Sequence, residues 1–455
     1  MQRLAEPDLI GTARYVGLAG AMTAVGGDPT AIQDNPAGLG IYRRFEAAIS
    51  FAGRFSYTSV LNRNRFYSDR AFILPQATFI FAFGNEERDR GMIFNNVSFS
   101  YYRLASYNRQ YGAVGTSRPS AAEQMAASAA GVSESVMGAT DNWDNINIGW
   151  LSILGYNTYM IDPLSTETAR WKPYSDWYKS LSVGMAVREA GYLDQYNITW
   201  AGNISNRWYI GAGVNIRSLY YSKASDYTEL TPVGGTATIR SQLTERGVGV
   251  NATVGAMWHP VRFCRIGLSF RTPSIVTTTV RSYGTATTEG IYDNGQTDRF
   301  YSETPTSNER QKMRMPLNLS VGTAFIIRRA GLISLQYDYQ DDVDAPAYHS
   351  VRFGMEWAIR QQFFFDFGTA CSMAVGYPKY VKRLADNDVR TDMDWAVTEM
   401  VHHFSAAFGY RGHFGYVQLG YKFATHRTAL YAPVYSNNRI GQHDIVLTLG
   451  WHSRR

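Results

Sequence analysis

The stretch FGYVQLGYKF, residues 414 to 423, alternates strictly: Val417, Leu419, Tyr421 and Phe423 share one face of an extended chain, and Tyr416, Gln418, Gly420 and Lys422 share the other. A charge such as Lys422 inside a strand is costly unless its face is wet or paired, so the apolar set is expected to meet lipid and the polar set a lumen. Val351, Phe353, Met355, Trp357 and Ile359 alternate in the same way with Arg352, Gly354, Glu356 and Ala358. The pattern recurs at 196–200, 210–216, 248–258, 317–325 and 333–339.

On either side of this stretch, strands are expected near 46–60, 74–84, 91–107, 192–204, 207–222, 239–258, 262–282, 309–327, 331–340, 348–359, 362–373, 399–410, 413–425 and 440–451. That is about fourteen, an even number, as a meander with both ends on one side of a bilayer requires. Tight turns (205–206, 259–261, 329–330, 360–361, 411–413) alternate with long connections (108–191, 223–238, 283–308, 374–398, 426–439). Trp208, Trp258, Trp357 and Trp451 fall near the turn side, where an interfacial aromatic girdle belongs. A soluble β-sandwich also alternates, but it has no need for a long loop at every second connection. The expected fold is all-β, a transmembrane antiparallel barrel with an N-terminal luminal hatch over 1–45 and the barrel over 46–455.

Composition agrees. Charged residues are 18% of 455, against roughly 25% in soluble domains, while Tyr (31) and Gly (41) are abundant. No run approaches the ~18 apolar residues of a spanning helix, so a membrane would be crossed by strands. The net charge of +6 is scattered, its longest runs being pairs such as Arg43-Arg44 and Arg454-Arg455; it reads as a solvated rim, and no nucleic-acid partner is expected. Cys264 and Cys371 read as small apolar fillers without a disulfide. Glu6 and Asp8 stand where the basic region of a leader belongs, so the numbering is expected to begin after a processed leader.

Residues 11–40, GTARYVGLAGAMTAVGGDPTAIQDNPAGLG, differ from the rest: small, Gly- and Ala-rich, with dense turn chemistry at Asp34-Asn35-Pro36-Ala37-Gly38. Gly11 to Arg14, Gly17, Gly20-Ala21, Ala24, Gly26-Gly27-Asp28, Ala31 and Asn35 to Leu39 resemble the start of mature FadL/TodX-type outer-membrane transporters of long-chain fatty acids and aromatic hydrocarbons. The resemblance makes Asn35, Pro36 and Ala37 the hatch motif. It implies uptake of a greasy ligand by way of extracellular loops and a dry lumen, then lateral release through a break in strand three. Phe94, Asn95 and Asn96 interrupt the alternation of that strand, and three readings stay open: a lateral opening, a structural bulge, or an inward Asn pair.

In the loop 108–191, Ala121 to Met137 reads as a helix, and Trp150, Leu151, Ile153, Leu154 and Tyr156 form an apolar stretch. That stretch is expected to roof the barrel, form a ligand groove or dock a partner. Among hatch proteins of this kind are shuttle components of the type IX secretion system, so a barrel subunit or docking scaffold is the alternative to a channel for hydrophobic small molecules. Arg217 and Arg352 point inward, but the sequence assigns neither as a carboxylate clamp. Membrane lipid, a hydrophobic ligand and other outer-membrane proteins are the expected partners. No enzyme motif, cofactor or metal site is expected: His402 and His403 face opposite ways, and Asp341-Asp342-Val343-Asp344 and Asp386-Asn387-Asp388 read as solvated loop tips.

Overall fold

The computed structural model describes residues 8–60, 65–84, 90–117, 119–165, 169–292, 297–327, 330–341, 347–360, 362–374, 389–431 and 433–453. Fourteen antiparallel strands form the wall. They are β1 (Glu46–Val60), β2 (Arg65–Gly84), β3 (Met92–Ser106, continued by Arg109–Ser117), β4 (Leu181–Ile204), β5 (Trp208–Leu230), β6 (Thr236–Val261) and β7 (Cys264–Arg271 and Ser274–Glu289). Then come β8 (Arg299–Glu303, Ser307–Met315 and Leu317–Ile327), β9 (Gly331–Asp341), β10 (Tyr348–Ile359), β11 (Phe363–Ala374), β12 (Trp395–Thr398 and Val401–Arg411), β13 (Gly415–Tyr431) and β14 (Ser436–His452). β14 returns to β1 from Glu46↔His452 to Val60↔Asn438, which closes the barrel. Pro273, Pro305 and Pro316 mark the interruptions of β7 and β8, each lacking the N–H a ladder needs.

The alternation sorts the faces as expected. Val417, Leu419 and Tyr421 are exposed on the outside, and Lys422 is fully enclosed within. The four girdle tryptophans all face outward near the turn side, with Trp208 and Trp258 stacked at 5.3 Å. Strands run further than expected on the loop side. β4 begins at Leu181, and the expected loop at 223–238 is a hairpin closed by Thr231 and Gly235 across 2.8 Å. Beyond the lipid both faces of a strand meet water or protein, so period-two hydropathy fades although the ladder continues. The long connection between β3 and β4 shortens accordingly to 118–180.

Three layers fill the interior. At the turn side lies the hatch: a helix Ala13–Gly17 capped by Thr12, a turn Ala31–Asp34 and a 3₁₀ turn Pro36–Ile41, nearly all buried. In mid-barrel, Leu193, Leu219, Leu243, Val276, Met313 and Met315 line one side of the lumen. At the loop side Ala121–Ser128, Glu134–Met137 and Trp150–Asn157 pack against Tyr227, Ile239, Ala286 and Leu430 from the tall strands. The helix expected over Ala121 to Met137 is broken at Gly131, whose φ of 88° leaves the helical region.

Trp150, Leu151, Ile153 and Leu154, expected to offer a ligand or partner surface, are buried in this roof, and Tyr156 packs edge-on to Trp171 at 5.5 Å. So short an apolar helix holds in water only by packing, and inward residues of the tall strands provide its partners.

Candidate luminal binding site

Between hatch and wall lies a cavity of about 110 Å³ bordered by Tyr15, Asp34, Leu104, Ala105, Leu193 and Met315, with Arg217, Arg271 and Arg352 facing it. The three guanidinium groups differ in what they hold. Arg352 pairs with Asp338 at 2.8 Å and Arg271 approaches Asp34 at 3.6 Å, donating also to the Gln33 carbonyl at 2.7 Å. Burial pushes the Asp34 carboxyl above its usual range, despite the charges of Arg352 and Arg271 beside it. Arg217 is only 6% exposed and has no carboxylate partner among the described residues; it reaches Gln195 at 3.3 Å and the Met315 sulfur at 3.5 Å. Parity predicts that Arg217 and Arg352 both point inward. Only the fold tells the paired one from the unpaired one.

Beside this cavity the wall is interrupted. The β2–β3 ladder runs from Gly84↔Phe94 up to Gln76↔Tyr102 and stops, while residues 65–73 of β2 pair with β1 alone among the described strands. Pro75 stands next to the last rung, and it cannot donate a ladder hydrogen bond. The register of β1 against β2 also shifts there, between Ser50 and Ala52. Past a second shift at Arg103/Ala105, β3 leaves the line of β2: the Gly112 N–H donates to the inward-facing Asn438 at 3.3 Å and passes Tyr67. Leu104 and Ala105, at the start of this departure, are among the residues that border the cavity.

Phe94, Asn95 and Asn96 lie at the opposite end of β3, paired with β2 on one side and β4 on the other. The wall is continuous there, and the irregularity is a bulge just before them, between Met92 and Phe94. Asn96 points inward and spends its amide on the hatch, donating at 2.8 Å to both the Leu39 and Tyr42 carbonyls. The end of the β2–β3 ladder thus lies higher on the strand than Asn95. Pro75 is the signal that sequence reading passed over.

The Asn35-Pro36-Ala37 turn is bonded from several sides. Asn35 accepts from the Ala37 N–H at 3.1 Å and donates to the Thr23 carbonyl at 2.7 Å and to Ala256 of β6 at 3.3 Å. Wall glycines let hatch backbone come this close: a Cβ at Gly211, Gly255, Gly267, Gly354 or Gly368 would lie within 3 Å of Pro36, Asn35, Thr23, Leu18 or Ala19 respectively. Ser334 and Ser405 take up the Ala21 and Gly17 carbonyls at 2.6 and 3.1 Å.

Asp8 fixes the start of the hatch within a buried tetrad. Arg54 and Lys422 lie 2.8 and 3.3 Å from Asp8 and 2.8 and 2.7 Å from Asp444. Burial alone would push the Asp8 carboxyl up, but the Arg54 and Lys422 charges outweigh it and hold it well below the usual range. A depressed folded value means that Asp8 contributes stability above the unfolded carboxylate value of about 3.9, lost as pH falls through the folded value. Protease protection of the chain around Leu9, which Asp8 anchors, is therefore expected to stay constant from about pH 8 to pH 5 and to weaken only in stronger acid. Limited proteolysis over a pH series with an acid-tolerant protease reads this; a loss of protection already near pH 6 would contradict it.

Cys264 and Cys371 are free thiols, and His402 faces outward while His403 is buried. Asp342 to Asp344 and Asp386 to Asp388 lie outside the described residues.

Among solved structures the chain is similar to a Pseudomonas aeruginosa FadL homologue, with a TM-score of 0.58 at 9% identity over 98% of this chain and 99% of that one. It is similar to the P. putida toluene transporter TodX, with a TM-score of 0.56 at 10% identity over 98% and 100%. The Ralstonia pickettii toluene transporter TbuX gives 0.50 at 10% identity over 98% of each chain. No family model and no curated protein matches the sequence. The closed fourteen-stranded barrel with its N-terminal segment folded inside is the fold of the FadL- and TodX-type outer-membrane channels.

Proposed function

We propose that the chain is a passive outer-membrane channel for hydrophobic small molecules with an anionic head, fatty-acid-like in kind, which leave sideways through the wall between β2 and the upper half of β3. Arg217 carries this reading. A guanidinium buried without a counter-charge is costly, and a site that keeps one is suited to an incoming carboxylate. Leu193, Leu219, Val276 and Met315 on the same side of the lumen suit an alkyl tail, at about 0.8 kcal/mol per buried methylene. The 110 Å³ cavity takes a head group and not a whole chain, since ligand pockets run to roughly 300–1,000 Å³. Passage therefore needs the hatch or the segment around Leu104 to shift, with Asn35, Pro36 and Ala37 holding the closed position. The P. putida neighbour is named for toluene, which has no charge to offer Arg217.

The test is uptake into cells or proteoliposomes of an eighteen-carbon carboxylate and its matching alcohol by Arg217→Leu and Arg217→Lys. Loss of a charge-assisted bond of roughly 1.5–3 kcal/mol is expected to raise the half-saturating carboxylate concentration about ten- to hundredfold in Arg217→Leu. Alcohol uptake should not change, and Arg217→Lys should fall between. Equal effects on acid and alcohol, or none on either, would overturn the assignment. The filled lumen favours a second reading, a barrel subunit or docking scaffold of a larger outer-membrane complex. A stoichiometric partner retained through purification, with no uptake of either compound, would decide for it.

A further inference from the structure

On the outside of β5 to β8 the lipid-facing apolar run of each strand ends in polar or cationic residues. The last apolar members are Ile216, Val248, Ile275 and Leu319, all exposed. Above them Arg246 stacks over the Tyr220 ring at 5.1 Å, and Arg310, Lys312 and Arg314 follow one another on the outer face of β8. The ladder places them side by side: Arg246↔Thr279↔Arg310, Val248↔Thr277↔Lys312 and Val250↔Ile275↔Arg314. A groove of about 710 Å³ runs between Tyr220, Arg246, Thr277, Thr279 and Arg310. None of these four cations has an ion-pair partner among the described residues. On the opposite arc the outward cations are fewer, a facing pair Arg427 and Arg439 on β13 and β14, beside the neutral contacts of Tyr337 with His349 and Tyr421 with His443, each at 2.7 Å.

Four outward cations set against hydrocarbon are not needed to hold the sheet. Arg314, level with Ile275 and Val250, stays hydrated only by extending its stem upward. Grouped guanidinium groups bind phosphate with paired N–H donors, and a basic cluster at a bilayer surface is the pattern that recognises anionic headgroups. We propose that this outer face of β5–β8 is a docking site for the phosphorylated sugar headgroup of an outer-leaflet glycolipid, whose acyl chains lie along Ile216, Val248, Val250 and Ile275. The site rests on the outer-membrane placement of the barrel and is independent of what the lumen carries.

The full-length chain in mild detergent is titrated with diphosphorylated lipid A, with chemically dephosphorylated lipid A and with inorganic phosphate. Native mass spectrometry and thermal shift read the binding. Wild-type protein is expected to bind the phosphorylated lipid at least tenfold more tightly than the dephosphorylated one. Arg246→Gln/Arg310→Gln/Lys312→Gln/Arg314→Gln should lose that preference, while Arg427→Gln/Arg439→Gln, a facing pair on β13 and β14, keeps it. A gel band that shifts on boiling verifies that each variant is folded. Equal binding of the two lipids by wild-type protein overturns the proposal, as does a preference that survives the quadruple substitution. Inorganic phosphate binding as tightly as the lipid would assign the groove to a free anion and overturn the lipid as occupant.

Discussion

Gly255→Val is expected to unseat the hatch and turn a plugged barrel into a leaky one. A Cβ at position 255 would lie 2.0 Å from the Asn35 side-chain oxygen and 3.0 Å from Pro36 Cδ. Neither neighbour can give way, because Asn35 is tied to Thr23, Ala37 and Ala256, and the Pro36 ring is rigid. A β-branched side chain has no rotamer that avoids the clash, and overpacking of this kind costs about 1–3 kcal/mol or more. The wall itself should tolerate the change, since valine suits a strand and the lipid face is untouched. Conductance in planar bilayers is expected to rise at least tenfold, with cells becoming sensitive to antibiotics normally excluded by size. Gly184→Val, where a Cβ meets nothing within 4 Å, should behave as wild type. A Gly255→Val protein that folds and conducts no more than wild type would show that the hatch is not seated on this glycine.

What the sequence reveals and what it conceals divide along physical lines. The lipid face is legible because hydrocarbon imposes one rule on every strand, and Val417, Leu419 and Tyr421 announce it within a few residues. Asn35-Pro36-Ala37 is legible for a different reason, turn chemistry being local. Strand ends above the membrane are not, because Asp226 to Glu229 on β5 alternate in burial without alternating in hydropathy. The interruption at Pro75 had a signal, a proline inside a strand, but the polar stretch before it reads as loop and hides the strand that the proline interrupts. Asn96 breaks an apolar pattern in order to bond the hatch, and sequence alone cannot separate that from a bulge. The inward glycines look like ordinary turn residues until the hatch is found against them.

Least legible is the tetrad of Asp8, Arg54, Lys422 and Asp444, since only closure of the barrel brings its members together. Lys422→Met is expected to be the most damaging single change within it. Lys422 is fully buried and bonds Asp444, Asp8 and the Leu9 carbonyl at 2.7, 3.3 and 2.8 Å. Its removal leaves two carboxylates sharing Arg54, one negative charge in excess in a dry interior. Breaking a buried ion pair in this way costs about 3–5 kcal/mol, mostly for the charge left behind. The loss should fall first on the hatch, because long ladders hold β1, β13 and β14 together whatever Asp8 does. Cleavage near Leu9 under limited proteolysis should therefore rise well before the barrel melts, and urea titration should show lower overall stability. The decisive arm is Lys422→Met with Asp8→Asn, which restores neutrality and is expected to recover most of the lost stability although it removes a second ionic contact. If the double variant is no better than the single one, charge balance is not what the tetrad supplies, and the hatch is held by its backbone hydrogen bonds alone.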